Sequence, residues 1–321
     1  MKKSGLTIWL SGVCALLFMG AFAPGVSADP IRIDALTVLD VERSGDVLLA
    51  VGERGTVLRS DDDGVHWSSV KTGVTRTLTS LSFATPQLAI AVGHGGALIR
   101  SDDAGRTWQS LTVQGLEGQS LLGVVAISQQ RIVAFGAFGL FLQSDDGGLT
   151  WNRREVLGPD FDRHLYGLLP LSLEHWLVVG ESGTLLSTDD AGVTWHEQTS
   201  PYEGSFFGVI RGRNGTVMLF GMRGNLFISD DGSRDWRKAD TESTAAFNGG
   251  RVFDDGRILL VGNNGLLAVS EDDGKSFKEV TLDRSENLAN AVEGKSGNIM
   301  IAGTSGIKSL LAQRLASELA K

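Results

Sequence analysis

From Thr37 onward, short apolar runs alternate with turns rich in glycine, aspartate and serine, and the alternation restarts about every 42 residues. In the second cycle the runs cover residues 78–83, 88–92, 97–100 and 107–113. None is long enough for a helix, which needs roughly ten residues or more, and the intervening glycines would interrupt one. Each cycle is therefore predicted to be four short strands in an antiparallel meander.

The period is marked by an aromatic residue. Trp67, Trp108, Trp151, Trp195, Trp236 and Phe277 lie 41, 43, 44, 41 and 41 residues apart. A four-stranded meander leaves edges that must be covered, and radial closure of similar sheets into a propeller covers them. The 293 residues after position 28 accommodate seven blades of this length, with a six-bladed body carrying irregular extra strands as the alternative. The fold class is thus all-β: a seven-bladed propeller of four-stranded antiparallel blades, one domain over residues 29–312. The seventh cycle shows strands only at 288–292, 298–302 and 307–311, so residues 31–33, ahead of a first inner strand at 37–41, are expected to supply its outer strand. Residues 313–321 read as a short tail or helix.

Six aligned copies of one motif close the cycles. Its residues are Ser60, Asp62, Gly64 and Trp67; Ser101, Asp103, Gly105 and Trp108; Ser144, Asp146, Gly148 and Trp151; and Thr188, Asp190, Gly192 and Trp195. The fifth copy keeps Ser229, Asp231 and Trp236 but has Ser233 where glycine is expected; the sixth has Ser270, Asp272, Gly274 and Phe277. The spacing fits a hairpin in which the aspartate accepts N–H groups of its own turn, the glycine takes a conformation other residues resist, and the aromatic packs between blades. Six-fold redundancy points to a structural role, because an active site needs a unique constellation.

The first residues are set aside from the fold. Lys2 and Lys3 precede an apolar stretch at 6–22, and Val26, Ser27 and Ala28 are small residues where a signal peptidase cuts. Residues 1–28 are read as a signal peptide, which places the chain in the periplasm. The only cysteine, Cys14, falls inside that stretch, so the exported part contains none. With 38 acidic residues and, after loss of two lysines, 27 basic ones, its formal charge becomes −11, which disfavours nucleic acid as a partner.

The aspartate motif is the Asp-box or BNR repeat, and here it follows a second signature. Gly180 to Trp195 reads GESGTLLSTDDAGVTW, with near copies at 52–67 (GERGTVLRSDDDGVHW) and 93–108 (GHGGALIRSDDAGRTW). This pairing resembles the Ycf48-like photosystem II stability and assembly factors and their bacterial homologues, over nearly the whole exported chain. The resemblance implies an exported seven-bladed propeller that acts as an assembly factor on a membrane protein or membrane-associated complex. Homologues encoded beside exporters of the resistance-nodulation-division type suggest a second reading, an accessory subunit of such a transporter.

Asp-boxes also occur in sialidases and other glycosidases, the alternative from another class. A sialidase-like site needs three clustered arginines and a tyrosine nucleophile with an acidic partner. Only Tyr166 and Tyr202 are present, neither in a recognisable carboxylate arrangement, and Ile31-Arg32-Ile33 is a weak shadow of the expected opening. His66, His94, His164, His175 and His196 show no ligand spacing, and no glutamate closes a calcium loop at Asp61-Asp62-Asp63-Gly64. No catalytic, cofactor-binding or metal-binding set is assigned.

The meander divides the surface. Asp-box turns occupy one face; the turns between second and third strands, with the links between blades, occupy the other. There the residues vary from blade to blade, and Arg54, Arg76, His94, Phe138, Arg163, His164, Met222 and Arg223 are expected to gather as a protein-binding face, with Arg284 at the seventh blade. Arginine beside large apolar side chains is the mixture over-represented at interface hot spots. The expected partner is a membrane protein or envelope complex, with no nucleic acid and no obligate small ligand, and the chain alone is expected to be monomeric.

Overall fold

The computed structural model describes residues 35–116 and 118–319, and these form one compact unit. The first blade is β1 (Val38–Ser44), β2 (Val47–Gly52), β3 (Val57–Ser60) and β4 (Ser68–Ser69), paired in that order. The second and third are β5–β8 (Leu78–Phe83, Ala89–Gly93, Leu98–Ser101, Gln109–Ser110) and β9–β12 (Leu121–Ala126, Ile132–Gly136, Phe141–Ser144, Asn152–Arg153). The fourth and fifth are β13–β16 (Leu165–Pro170, Trp176–Gly180, Leu185–Thr188, His196–Glu197) and β17–β20 (Phe206–Arg211, Val217–Gly221, Leu226–Ser229, Arg237–Lys238). The sixth is β21–β24 (Phe247–Val252, Ile258–Gly262, Leu266–Ser270, Lys278–Thr281), and the seventh comprises β25–β27 (Leu288–Glu293, Ile299–Gly303, Gly306–Leu310). Helix α1 (Ala312–Leu319) follows. The inner strands β1, β5, β9, β13, β17, β21 and β25 are neighbours in turn, and β25 meets β1, so seven blades close a ring.

Packing follows from the strand pattern. The second strand of each blade lies between two neighbours, and β6, β10, β14, β18, β22 and β26 are buried along their full length. Among the described residues the apolar side chains form seven clusters, each between adjacent blades. Trp67 packs at the junction of blades one and seven, Trp108 at one and two, Trp151 at two and three, Trp195 at three and four, Trp236 at four and five, and Phe277 at five and six. Blade seven has no Asp-box aromatic. At its junction with blade six, Leu315 of α1, with 1% of its surface exposed, enters the cluster, and Leu282 and Leu319 pack beside it.

The Asp-box turns share a set of internal hydrogen bonds, complete in the first three copies, whereas the indole N–H groups of Trp195 and Trp236 find no acceptor among the described residues. In the third copy the Ser144 hydroxyl donates to Asp146 (2.8 Å) and accepts the Gly148 N–H (2.8 Å), while Asp146 accepts the Thr150 N–H (2.9 Å) and hydroxyl (2.5 Å). The Trp151 indole donates to the Gly148 carbonyl at 3.1 Å. The same Ser/Thr-to-Asp bond recurs at Ser60, Ser101, Thr188, Ser229 and Ser270. Such bonds favour the ionised carboxylate. The Thr194 hydroxyl, then its N–H and Thr188, hold Asp190 down to about 2, and the N–H and ring of His66 do the same for Asp62. Ser233 adopts the glycine conformation (φ 74°) and keeps the bond from its N–H to Ser229.

The other aspartates of these turns tie blades together. Asp61 and Asp102 pair with Arg59 and Arg100, whose Nε atoms donate to the Ala104 and Gly147 carbonyls of the following blade at 2.9 and 2.8 Å. Asp63 accepts the Lys295 and Ser296 N–H groups at 2.7 and 2.8 Å, joining blade one to blade seven.

Two details depart from the sequence reading. Outer strands are only two residues long in blades one to five; in blade two β8 starts at Gln109 because Asp103 holds the Thr107 N–H and hydroxyl, which cannot then pair with β7. The seventh blade has three strands among the described residues, and the expected fourth, at 31–33, falls outside them, as does the leader at 1–28.

Candidate partner-binding face

The face opposite the Asp-boxes is built by the repeated glycine pair. The first glycine ends the second strand against the blade's own entry. A Cβ on Gly52, Gly93, Gly136 or Gly180 would lie 2.0–2.1 Å from the carbonyl oxygen of Thr37, Thr77, Ser120 or His164. That oxygen accepts the next N–H, from Glu53, His94, Ala137 and Glu181, at 2.9–3.0 Å. The second glycine has positive φ and abuts the outgoing link: a Cβ on Gly55 or Gly183 would meet the Val74 or Tyr202 carbonyl at 2.0 and 2.4 Å. Between the two glycines sit two residues held rigidly at the rim.

The second of these two residues is left-handed in blades one to six: Arg54, Gly95, Phe138, Ser182, Arg223 and Asn264 have φ between 51° and 66°. Glycine and asparagine suit that conformation, whereas a larger side chain disfavours it by about 1–2 kcal/mol. Phe138 nevertheless occupies it with 65% of its surface exposed.

Arg54, Arg76, His94, Phe138, Met222 and Arg223 are all exposed on this rim. Arg76 lies alongside Gly95, and His94 Nδ1 is 3.1 Å from the Ser120 hydroxyl. No ion pair is formed by Arg54, Arg76 or Arg223 among the described residues, in contrast to the paired Arg59, Arg100, Arg131, Arg251 and Arg257. Arg163 behaves differently from the other rim arginines. It turns to the outer strand of its own blade, pairs with Glu197 at 3.1 Å and stands over the Phe161 ring, because Glu197 on β16 offers a carboxylate within its reach.

His164 instead turns towards blade three. Its ring meets Phe138 edge-on at 4.7 Å and continues to Tyr166 at 6.2 Å, and Tyr166 meets Phe207 at 5.6 Å. Tyr166 and Phe207 stand at the bulge where inner strand and second strand lose register, and with Leu39, Thr79, Leu122, Asn248 and Ala289 they ring the mouth of a central cavity of about 660 Å³. Sequence reading passed over Phe207 and Leu122; the position one residue into each inner strand was the available signal.

Three polar side chains of the cavity, Asp40, Glu42 and Asn248, are committed to neighbouring strands. Asp40 accepts the Leu81 N–H (2.8 Å), the Val41 N–H (2.9 Å) and the Asn290 amide (2.6 Å), linking blade one to blades two and seven. Burial still pushes its carboxyl above the ordinary range, and it does the same to Glu42, which pairs with Arg251 at 2.5 Å. Asn248 donates to the Leu288 carbonyl at 2.8 Å. These stitches occupy the half of the cavity formed by blades one, two, six and seven, and the other half is lined by Leu122, Val125, Tyr166, Phe207 and Ile210.

The profile of the family described as photosynthesis system II assembly factor YCF48 matches residues 60–307. The chain belongs to that family. Two YCF48 structures share its fold. One, YCF48 bound to a D1 peptide, is 17% identical with a TM-score of 0.69, covering 90% of this chain and 97% of that one. The other, YCF48 from Cyanidioschyzon merolae, is 15% identical with a TM-score of 0.69, covering 85% and 94%. The WD40 propeller domain of Doa1 is as similar in shape, at 14% identity and a TM-score of 0.69 over 87% and 95%, so likeness of shape alone carries the architecture and not the function. No curated protein sequence matches the chain.

Proposed function

We propose that this YCF48-family propeller is a non-catalytic assembly factor, exported to the periplasm, that holds a segment of a membrane-protein client on the rim of the glycine-pair face. The observation that carries this reading is the placement on one face of Arg54 and Arg76 at blades one and two and Arg223 at blade five, exposed and without ion pairs among the described residues, with exposed Phe138 and Met222 on the same rim. Unpaired arginine on a chain of net negative charge selects an acidic client segment and steers its approach. The peptide bound by a YCF48 of the same architecture supports peptide capture as the mode. The carboxylates of the Asp-boxes and the cavity are engaged in turns and inter-blade bonds, which supports a scaffold over a hydrolase.

The test is affinity capture from detergent-solubilised envelope with the wild-type protein and with the triple variant Arg54→Glu, Arg76→Glu, Arg223→Glu. A membrane protein captured by the first and lost by the folded second supports the reading. Equal capture by both sinks it. Fractionation together with N-terminal sequencing of the processed chain tests the location, with Asp29 as the expected first residue.

A further inference from the structure

We propose that the aromatic row Phe138, His164, Tyr166 and Phe207 is an anchor subsite that takes one large apolar side chain (Phe, Leu or Met) of the client segment. This inference rests on the client-binding reading above and adds the chemistry that fixes the segment's register. The row is continuous, with ring separations of 4.7, 6.2 and 5.6 Å, and it runs from the rim on blade three to the cavity mouth on blade five. Met222, 37% exposed, lies at the rim of blade five, the blade that carries Phe207, next in sequence to Arg223.

Three observations separate a binding row from ordinary packing. Phe138 is the one large apolar side chain at the left-handed position that Arg54, Gly95, Ser182, Arg223 and Asn264 fill in the other blades among the first six, and 65% of it faces solvent, so the conformation is not offset by burial in a core. His164 Nδ1 has two alternative partners, the Phe138 N–H at 3.4 Å, which it accepts when it carries no proton, and a Glu181 carboxylate oxygen at 3.3 Å, to which it donates when it carries one; either bond keeps the ring beside Phe138, so the row is preorganised. On the opposite side of the mouth, Thr79 and Asn248 spend their polar groups on neighbouring backbones and offer no comparable apolar surface. Leu39 and Ala289 add only aliphatic surface there, so the aromatic surface of the mouth lies on the side of blades three to five, and the chemistry complementary to exposed aromatic edges is a large apolar or aromatic side chain.

The experiment uses the purified protein and a displayed library of random dodecapeptides, followed by affinity measurement on a selected peptide and on its copy with the apolar residue changed to Ala. Wild-type protein is expected to enrich peptides with a large apolar residue at one position, and the Ala copy to bind roughly tenfold or more weakly. Phe138→Asn should weaken the parent peptide by a similar factor and abolish the difference between the two peptides, the signature of direct coupling. Because asparagine suits the left-handed backbone, that variant should melt at or above the wild-type temperature, the opposite of what a packing role for Phe138 gives. Met222→Ser is a second variant with the same expected direction. Peptides enriched without an apolar position, or a cycle with no coupling in either variant, overturn the anchor subsite and leave client binding intact. No enrichment of any peptide overturns the client-binding reading itself.

Discussion

Ser144→Ala isolates what one Asp-box contributes. The Ser144 side chain is fully buried, and its hydroxyl makes two good bonds, donating to Asp146 and accepting the Gly148 N–H, each at 2.8 Å. Asp146 lies at the surface and keeps Thr150 and water, so its loss is small. Gly148 is buried against Ile90 of the preceding blade, where water has no room, and its N–H is left without an acceptor. Leaving one such group unpaired costs about 1–3 kcal/mol. For a domain of this size each kcal/mol lowers the melting temperature by roughly 2–4 °C, so a fall of about 2–12 °C is expected by calorimetry, with a single transition. Client capture should be unchanged, because the turn is on the face away from the rim arginines. A shift under about 1 °C would show that the circuit is incidental to stability. Loss of capture without loss of stability would move the Asp-box into the binding site.

Further expectations concern acid, the last helix and the glycine pair. Asp62 and Asp190 are lowered from 3.8 to about 2, so their stabilisation is present above pH 4 and lost as pH falls towards 2; Asp190→Asn should lower the melting temperature at pH 7 and converge on wild type near pH 2. Leu315→Ala empties the place that an aromatic fills in the other blades and should cost about 2–4 kcal/mol, read by denaturant unfolding; no change would show that α1 is an ornament of the fold. Gly183→Ala puts a Cβ 2.4 Å from the Tyr202 carbonyl at φ 72° and should lower the yield of folded protein, whereas Ser182→Gly next to it should not, as solubility and circular dichroism would report.

Much of the architecture was written in the spacing of residues with one structural duty. Trp67 through Phe277 recur because every blade junction needs one large filler, and the Ser, Asp and Gly of each turn recur because each turn needs the same bonds. Where blade seven breaks the rule, Leu315 fills the junction from a helix with no sequence likeness to the Asp-box, so no alignment of repeats could reveal it. The rim was only partly legible. Its positions follow from the glycine pair, but the direction of Arg163 depends on Glu197, 34 residues later, and the aromatic row joins side chains of three successive blades whose mutual distances no spacing within a repeat gives.

The central claim, that the glycine-pair face holds the client, is tested most directly by placing a photoreactive residue at Ser182 or, separately, at Val193, both exposed and on opposite faces of blade four, and irradiating intact cells. The account predicts a covalent adduct with a membrane protein from position 182 and none from position 193. An adduct formed from 193 and absent from 182 would contradict it.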